Sequence, residues 1–358
     1  MKKAALGERT PKRATSAVPP PATLPRWKKA LFSAVVVLVA IVVLEGGARL
    51  FVRVAAGNVR WQFHRQLIDS VGLPALNDIL VPDPVLFWSL RPNLDRAVLA
   101  GHLAASSDFT FTVSTDAHGA RRVPAVTDRR RPVAFLGDSC TFGVGVNDDQ
   151  TFPAVLQQRI PDIIAINLGV PGYSAYQGRL RLNDYPFAAP PAVVVITFGF
   201  NDDAVWDNRS DLEQAARLEA QRSWVNSSRF ITWLAGLLSR RGPAAPDPGQ
   251  THRPRLSDDE FVAEVRGMVE WCRARHAEPV LVLWPYRVQL TRNDMPGKQR
   301  ALLRVAASDN LPLVNLIPFV RAQGGDSLFL DIIHANAAGH AVVAGALEPL
   351  LREALAAR

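Results

Sequence analysis

Residues 133–143 read VAFLGDSCTFG, and this stretch decides the fold. Four apolar residues, Val133–Leu136, are too few for a helix and end at Gly137, which describes a buried strand entering a tight turn. Beyond the turn, Ser139 stands at a helix start, so its hydroxyl is presented at the sheet edge. Its backbone N–H then sits where a developing oxyanion is stabilised. The pattern is not Gly-x-Ser-x-Gly, because Thr141 fills the last glycine position. Taken alone, Gly-Asp-Ser fits a helix N-cap as well as a nucleophile.

Working outward, four further short apolar runs read as strands: Ile163–Ile166, Val193–Phe198, Val280–Trp284 and Leu313–Leu316. Helical stretches separate them. Ser174 with Gln177, and Ser257 with Glu260, both fit the capping box. Phe261, Val262, Val265, Met268, Val269 and Cys272 then form one apolar helical face. Strands alternating with helices imply a parallel sheet covered on both sides. Upstream, Phe109, Phe111 and Val113 alternate with Thr110, Thr112 and Ser114, the period of a half-buried strand, with a turn at Asp116–Gly119. Between the third and fourth strands of the sheet the chain inserts residues 203–256, with helices predicted at Asp211–Arg222 and Ser228–Arg240. The Pro- and Gly-rich stretch 242–254 reads as a solvated linker or as a lid.

Ligands of an open parallel sheet sit at the carboxyl ends of its strands. Gly169 follows the second strand and offers a close backbone approach and an N–H donor, or is a simple turn. After the third strand, Asn201 can present an amide to the same oxyanion, and Asp202 can hold the loop through backbone N–H bonds. After the fifth, Asp331 precedes His334 by three residues, so a carboxylate can orient an imidazole toward a serine, and Asn336 caps the helix beyond. His340 on that helix reads as a structural or surface residue. Each piece has innocent explanations, but together they fall in one order at one sheet edge.

Those blocks resemble the SGNH, or GDSL-type, hydrolase superfamily: Ser139 within Gly-Asp-Ser, Gly169, Asn201 within Gly-Phe-Asn-Asp, and His334 within Asp-Ile-Ile-His. The resemblance implies a flavodoxin-like three-layer α/β/α fold with a five-stranded parallel sheet over residues 131–358. It also implies a Ser139–His334–Asp331 triad without metal or cofactor, and an oxyanion hole from the Ser139 N–H, the Gly169 N–H and the Asn201 amide. Asp138 and Asp202 are the supporting residues. The segment Thr115–Arg121 looks like a leader in membrane-anchored members, with Asp116 where Asn is usual, and Ala335 stands where Pro is common.

The chain has 358 residues and a formal net charge of +8. Residues 1–30 hold eight cations against the single anion Glu8, so the folded part is near neutral and nucleic-acid binding is not indicated. This basic tail (residues 1–29), expected to be disordered and cytoplasmic, meets the uncharged apolar run Ala30–Leu44. The run extends to Val52, about a bilayer's length, if Glu45 pairs with Arg49 one turn on. We read residues 30–52 as an uncleaved transmembrane signal anchor rather than a cleaved signal peptide, with the cationic end inside. Residues 53–130 then form a membrane-proximal segment, and the catalytic domain is extracytoplasmic, periplasmic in a Gram-negative-type cell. The two cysteines, Cys140 and Cys272, advertise no disulfide framework and read as small buried residues.

The expected activity is an esterase working through an acyl-enzyme on a small-molecule or glycan ester. Two alternatives are an acyl- or acetyltransferase or deacetylase acting on a cell-envelope polysaccharide, and a silent membrane-anchored binding domain. Tyr173, Trp206, Trp284 and Tyr286 lie near strand ends, where they line a pocket or pack the core.

Overall fold

The computed structural model describes residues 25–71, 74–101, 109–125, 131–205, 209–222, 230 and 253–357. Most of the basic tail, Trp206, the predicted helix 228–240 and nearly all of the stretch 242–254 lie outside them. A 46-residue helix, α1 (Arg26–Val71), opens the fold. Its portion Arg26–Leu50 is long and apolar enough to cross a membrane, with mean hydropathy 2.5 and none of it buried. A signal sequence meets the same description. Glu45 and Arg49 do pair on it, at 2.8 Å.

Two antiparallel hairpins follow: β1 (Leu80–Asp83) with β2 (Phe87–Leu90), and β3 (Ala97–Gly101) with β4 (Phe109–Val113). Only β4 was legible from its alternation, because β1 and β2 are four residues long, Pro82 interrupts β1, and Ala and Gly dilute β3. The turn after β4 closes as read, with Gly119 at φ +71°. Asp116 accepts the N–H groups of His118 and Ala120 through Oδ1, and the Tyr185 hydroxyl through Oδ2. The carboxylate thus does what a turn Asn would do and adds a second acceptor.

The main sheet holds β5 (Arg131–Gly137), β6 (Ile163–Asn167), β7 (Val193–Thr197), β8 (Glu278–Leu283) and β9 (Leu313–Asn315). Its order is β6-β5-β7-β8-β9, with every pairing parallel. Successive side chains of a strand face opposite layers, and both faces are apolar, so the five runs read as continuous rather than alternating. Val133, Phe135, Val193, Val195, Val280 and Val282 pack against α3 (Phe152–Arg159) and the last helix, Ala337–Ala356. Ala134, Leu136, Val194, Ile196, Leu281 and Leu283 face the other way. They meet helices Ala175–Asp184, Asp258–Ala274 and Gly297–Ser308. This is the three-layer α/β/α arrangement.

Packing does not respect a division at residue 130. Leu76, Leu80, Trp88, Leu99, Phe111 and Val113 belong to the same core as Leu136, Phe142 and Leu168. The hairpins therefore form part of the hydrolase body. The insertion begins with a helix over Asp211–Arg222, and its two ends meet beside the sheet edge. There the Asp211 N–H donates to Arg255 O, the Arg255 N–H to Ala204 O and the Leu256 N–H to Asp202 O. Arg255 is wholly buried, donating to Asp211 at 2.7 Å and to the Gly172 carbonyl at 2.6 Å.

Candidate active site

The four segments singled out in the sequence converge at the carboxyl edge of the sheet. Strand β5 runs into α2 (Ser139–Phe142), whose N-cap Asp138 accepts the Cys140 N–H through Oδ1 at 2.9 Å. Ser139 therefore occupies the first helical turn. Its Oγ lies 2.8 Å from His334 Nε2. On the other side of the ring, His334 Nδ1 lies 2.6 Å from Asp331 Oδ2. Asp331 Oδ1 accepts the backbone N–H groups of Ile333 and His334, so one carboxylate fixes both the loop and the imidazole. Burial alone would raise the Asp331 carboxyl, but the hydrogen bond and charge of His334 and the two N–H groups hold it below its usual value.

Gly169 follows β6 against the backbone of α2, and Asn201 follows β7 and reaches the N-cap Asp138. A Cβ on Gly169 would lie 2.2 Å from the Phe142 nitrogen, so the close approach that glycine permits here is to the backbone of α2 itself. The Gly169 N–H donates to Asn167 Oδ1 at 3.0 Å. Asn201 Nδ2 donates to Asp138 Oδ2 at 3.0 Å and to the Tyr173 carbonyl at 3.2 Å. The Asp138 contact orients the amide, because a carboxylate acceptor selects the NH₂ end. Burial raises the Asp138 carboxyl against the opposing pull of the Cys140 N–H and His334.

Asp202 is fully buried; its Oδ1 accepts the Ala175 N–H at 2.8 Å, and its Oδ2 has no partner among the described residues. Burial pushes its carboxyl up to about 7, against the Ala175 hydrogen bond and Arg255. An unfolded aspartate titrates near 3.9, so between the two values the folded state holds the extra proton and stability falls as pH rises. Asp202→Asn is expected to flatten that decline. Its gain over the natural chain should be on the order of 1–3 kcal/mol at pH 8 and absent near pH 4. Urea melts at both pH values measure it, and equal gains at both would contradict the assignment.

His340 is buried: Phe152 stacks on it at 5.9 Å and donates its N–H to Nδ1, and burial lowers the imidazole to about 3. It is a neutral core residue rather than a surface one. Both cysteines are buried, and burial holds the Cys140 thiol far above its ordinary value. Tyr173 packs on Trp88 at 5.8 Å, whereas Trp284 and Tyr286 border a small cavity that Asp138 and Cys140 also line. Among the described residues no group of three His, Cys, Asp or Glu is placed to hold a metal.

Two residues given no role from the sequence bind the nucleophile segment. Asn167 Nδ2 donates to the Thr141 carbonyl at 3.0 Å. Arg121, fully buried, donates to the carbonyls of Phe142, Gly143, Val146 and Thr112 and through Nε to Asp148. A cation inside a leader otherwise read for its turn was the available signal.

The family model for the GDSL-like lipase/acylhydrolase family matches residues 135–342, from within β5 to the last helix. The chain belongs to that family. No curated protein matches this GDSL-family chain. Among solved structures, a lipase/acylhydrolase from Enterococcus faecalis is similar at 19% identity and TM-score 0.42, covering 62% of this chain and 96% of its own. A member of the lipolytic G-D-S-L family from Veillonella parvula is similar at 13% identity and TM-score 0.41, with 62% and 98% covered. An acetyl xylan esterase is similar at 17% identity and TM-score 0.42, with 62% and 99% covered. Family membership makes the protein a hydrolase of the ester-cleaving kind.

Proposed function

We propose that the protein is a membrane-tethered serine esterase in which Ser139 is the nucleophile, His334 the general base and Asp331 the group that orients it. The observation that carries the reading is the 2.8 Å contact between Ser139 Oγ and His334 Nε2, backed by Asp331 on the far side of the ring. His334 takes the Ser139 proton as Oγ bonds to the ester carbonyl carbon, and the carbonyl π pair moves to oxygen. Collapse breaks the bond to the alcohol, which leaves with the proton from His334. Water, deprotonated by the same imidazole, then releases the acid.

The oxyanion meets the Ser139 N–H, the Gly169 N–H and the Asn201 amide. For the last two this is an exchange. The charged oxygen replaces Asn167 Oδ1 at Gly169 and the neutral Tyr173 carbonyl at Asn201, while Asp138 keeps its hold on the other amide hydrogen. The basic tail before the apolar helix keeps the N-terminus in the cytoplasm and sets the site outside, among envelope esters. With a glycan hydroxyl in place of water the same steps transfer the acyl group, and acid release compared with glycan acylation separates the two.

A serine-directed fluorophosphonate tests the reading. The full-length protein should be labelled stoichiometrically, and Ser139→Ala not at all. Equal labelling of the two would remove Ser139 from the chemistry.

A further inference from the structure

The insertion returns to the sheet edge at Arg255, beside the loop that follows Gly169. Three successive carbonyls of that loop each accept a hydrogen bond from a different distant residue: Pro171 from the Trp88 indole at 3.0 Å, Gly172 from Arg255 Nη1 at 2.6 Å, and Tyr173 from the Asn201 amide at 3.2 Å. Arg255 also ties the turn that carries Asn201. Its backbone N–H donates to the Ala204 carbonyl, and the next N–H, of Leu256, donates to the Asp202 carbonyl. One residue therefore grips both the Asn201 turn and the carbonyl next to the one that Asn201 bonds. Gly169 is fixed without it. The N–H groups of Leu168 and Val170, on either side of that glycine, donate to the Phe135 and Gly137 carbonyls of β5.

The guanidinium is itself held in one orientation. Nε and Nη2 donate to the two Asp211 oxygens at 2.9 and 2.7 Å, Nη2 also donates to Gln177 Oε1, and the cation lies over the Trp88 ring at 5.7 Å. Asp211 in turn accepts the Ser174 hydroxyl. Both partners of this ion pair are buried, with side chains 0% and 2% exposed. A buried ion pair adds little net stability over well-packed apolar side chains, because desolvation offsets the attraction. What the fork supplies is direction: planar donors that meet a carboxylate, a side-chain amide and a backbone carbonyl at once.

We infer that Arg255 is a positioning residue for the Asn201 amide, held in place by its ion pair with Asp211. Without its fork the Gly172 carbonyl loses its donor, the Tyr173 carbonyl beside it shifts, and the amide no longer points where the oxyanion forms. The inference rests on the esterase reading and goes beyond it, giving the closing end of the insertion a part in the rate.

The test is kcat and KM of the full-length protein for p-nitrophenyl acetate, beside Arg255→Lys, Asn201→Ala and the double variant, each assayed where its thermal melt shows it folded. Lysine keeps the charge next to Asp211 but cannot fork to Gly172 as well. Arg255→Lys should lower kcat by about 10- to 100-fold with KM within about threefold, since a whole oxyanion donor is worth about 10² to 10³ in kcat. The double variant should be no more than about threefold slower than Asn201→Ala alone, because no amide is left to position. Losses that multiply in the double variant would overturn the inference, as would a folded Arg255→Lys with the natural kcat. Asp211→Asn keeps the shape of the pair and removes its charge. It should show a smaller loss with the same lack of additivity, and it decides the question if Arg255→Lys does not fold. A natural kcat in Asn201→Ala would overturn the inference while Ser139 labelling left the esterase reading standing. No turnover together with no labelling would overturn the esterase reading, and the inference with it.

Discussion

Asp331→Asn is expected to lower kcat for ester hydrolysis by about 10⁴ while leaving the protein folded, the scale on which a triad aspartate acts. The two carboxylate oxygens do different work. Oδ1 accepts the N–H groups of Ile333 and His334 and so shapes the loop, while Oδ2 faces His334 Nδ1 at 2.6 Å. An asparagine can keep its carbonyl oxygen on the two backbone donors. Its NH₂ then points at Nδ1 and selects the tautomer with the proton on Nε2, which cannot accept from Ser139. Asp331→Ala, losing both functions, should lose stability as well as rate. Steady-state kinetics with thermal melts on both variants separate the effects. If Asp331→Asn kept kcat within about tenfold of the natural protein, the orienting role would fail.

The five sheet strands were legible as short apolar runs bounded by turns: β5, β7 and β8 are buried on both faces, and the edge strand β6 keeps its Ile-Ile-Ala-Ile run although Ile164 is exposed. Strand β5 starts two residues earlier and β8 two residues earlier than their apolar runs, at Arg131 and Glu278. Pairing with neighbours extends them where hydropathy gives no sign. The hairpins upstream escaped for the converse reason. Pro82 and the Ala-rich β3 break the alternation, and what holds these strands is contact with the main core, a long-range property. At the site, the convergence of Ser139, Gly169, Asn201 and His334 follows from their positions after parallel strands, a rule of topology readable from order alone. The hydrogen-bond partners did not follow. That Asp138 orients Asn201 depends on side chains separated by 63 positions. No local pattern marks such pairs.

Arg121→Met is expected to cost about 3–5 kcal/mol of stability, the scale for breaking a buried charge pair, and to lower the melting midpoint by roughly 10 °C. The guanidinium has five N–H donors in a fixed fork, and here they meet the carbonyls of Phe142, Gly143, Val146 and Thr112 and the Asp148 carboxylate. The cation also lies over the Phe142 ring at 4.6 Å. Burial lowers its affinity for the proton, and Asp148 opposes that shift, so charge is retained at a cost that the hydrogen bonds offset. Methionine fills similar space but leaves several buried carbonyls unpaired. The carbonyls of Phe142 and Gly143 end the helix that begins at Ser139, so the loss acts on the nucleophile as well as on the fold. A displacement of Ser139 on the order of 1 Å would lower kcat by about 10². Arg121→Lys keeps the charge but cannot fork, and should fall between the two. If Arg121→Met matched the natural protein in both melting and kcat, the leader would be a passive spacer. The expected joint loss instead makes the segment after the two hairpins part of what holds Ser139, because the residue anchoring α2 from outside the sheet lies just beyond β4.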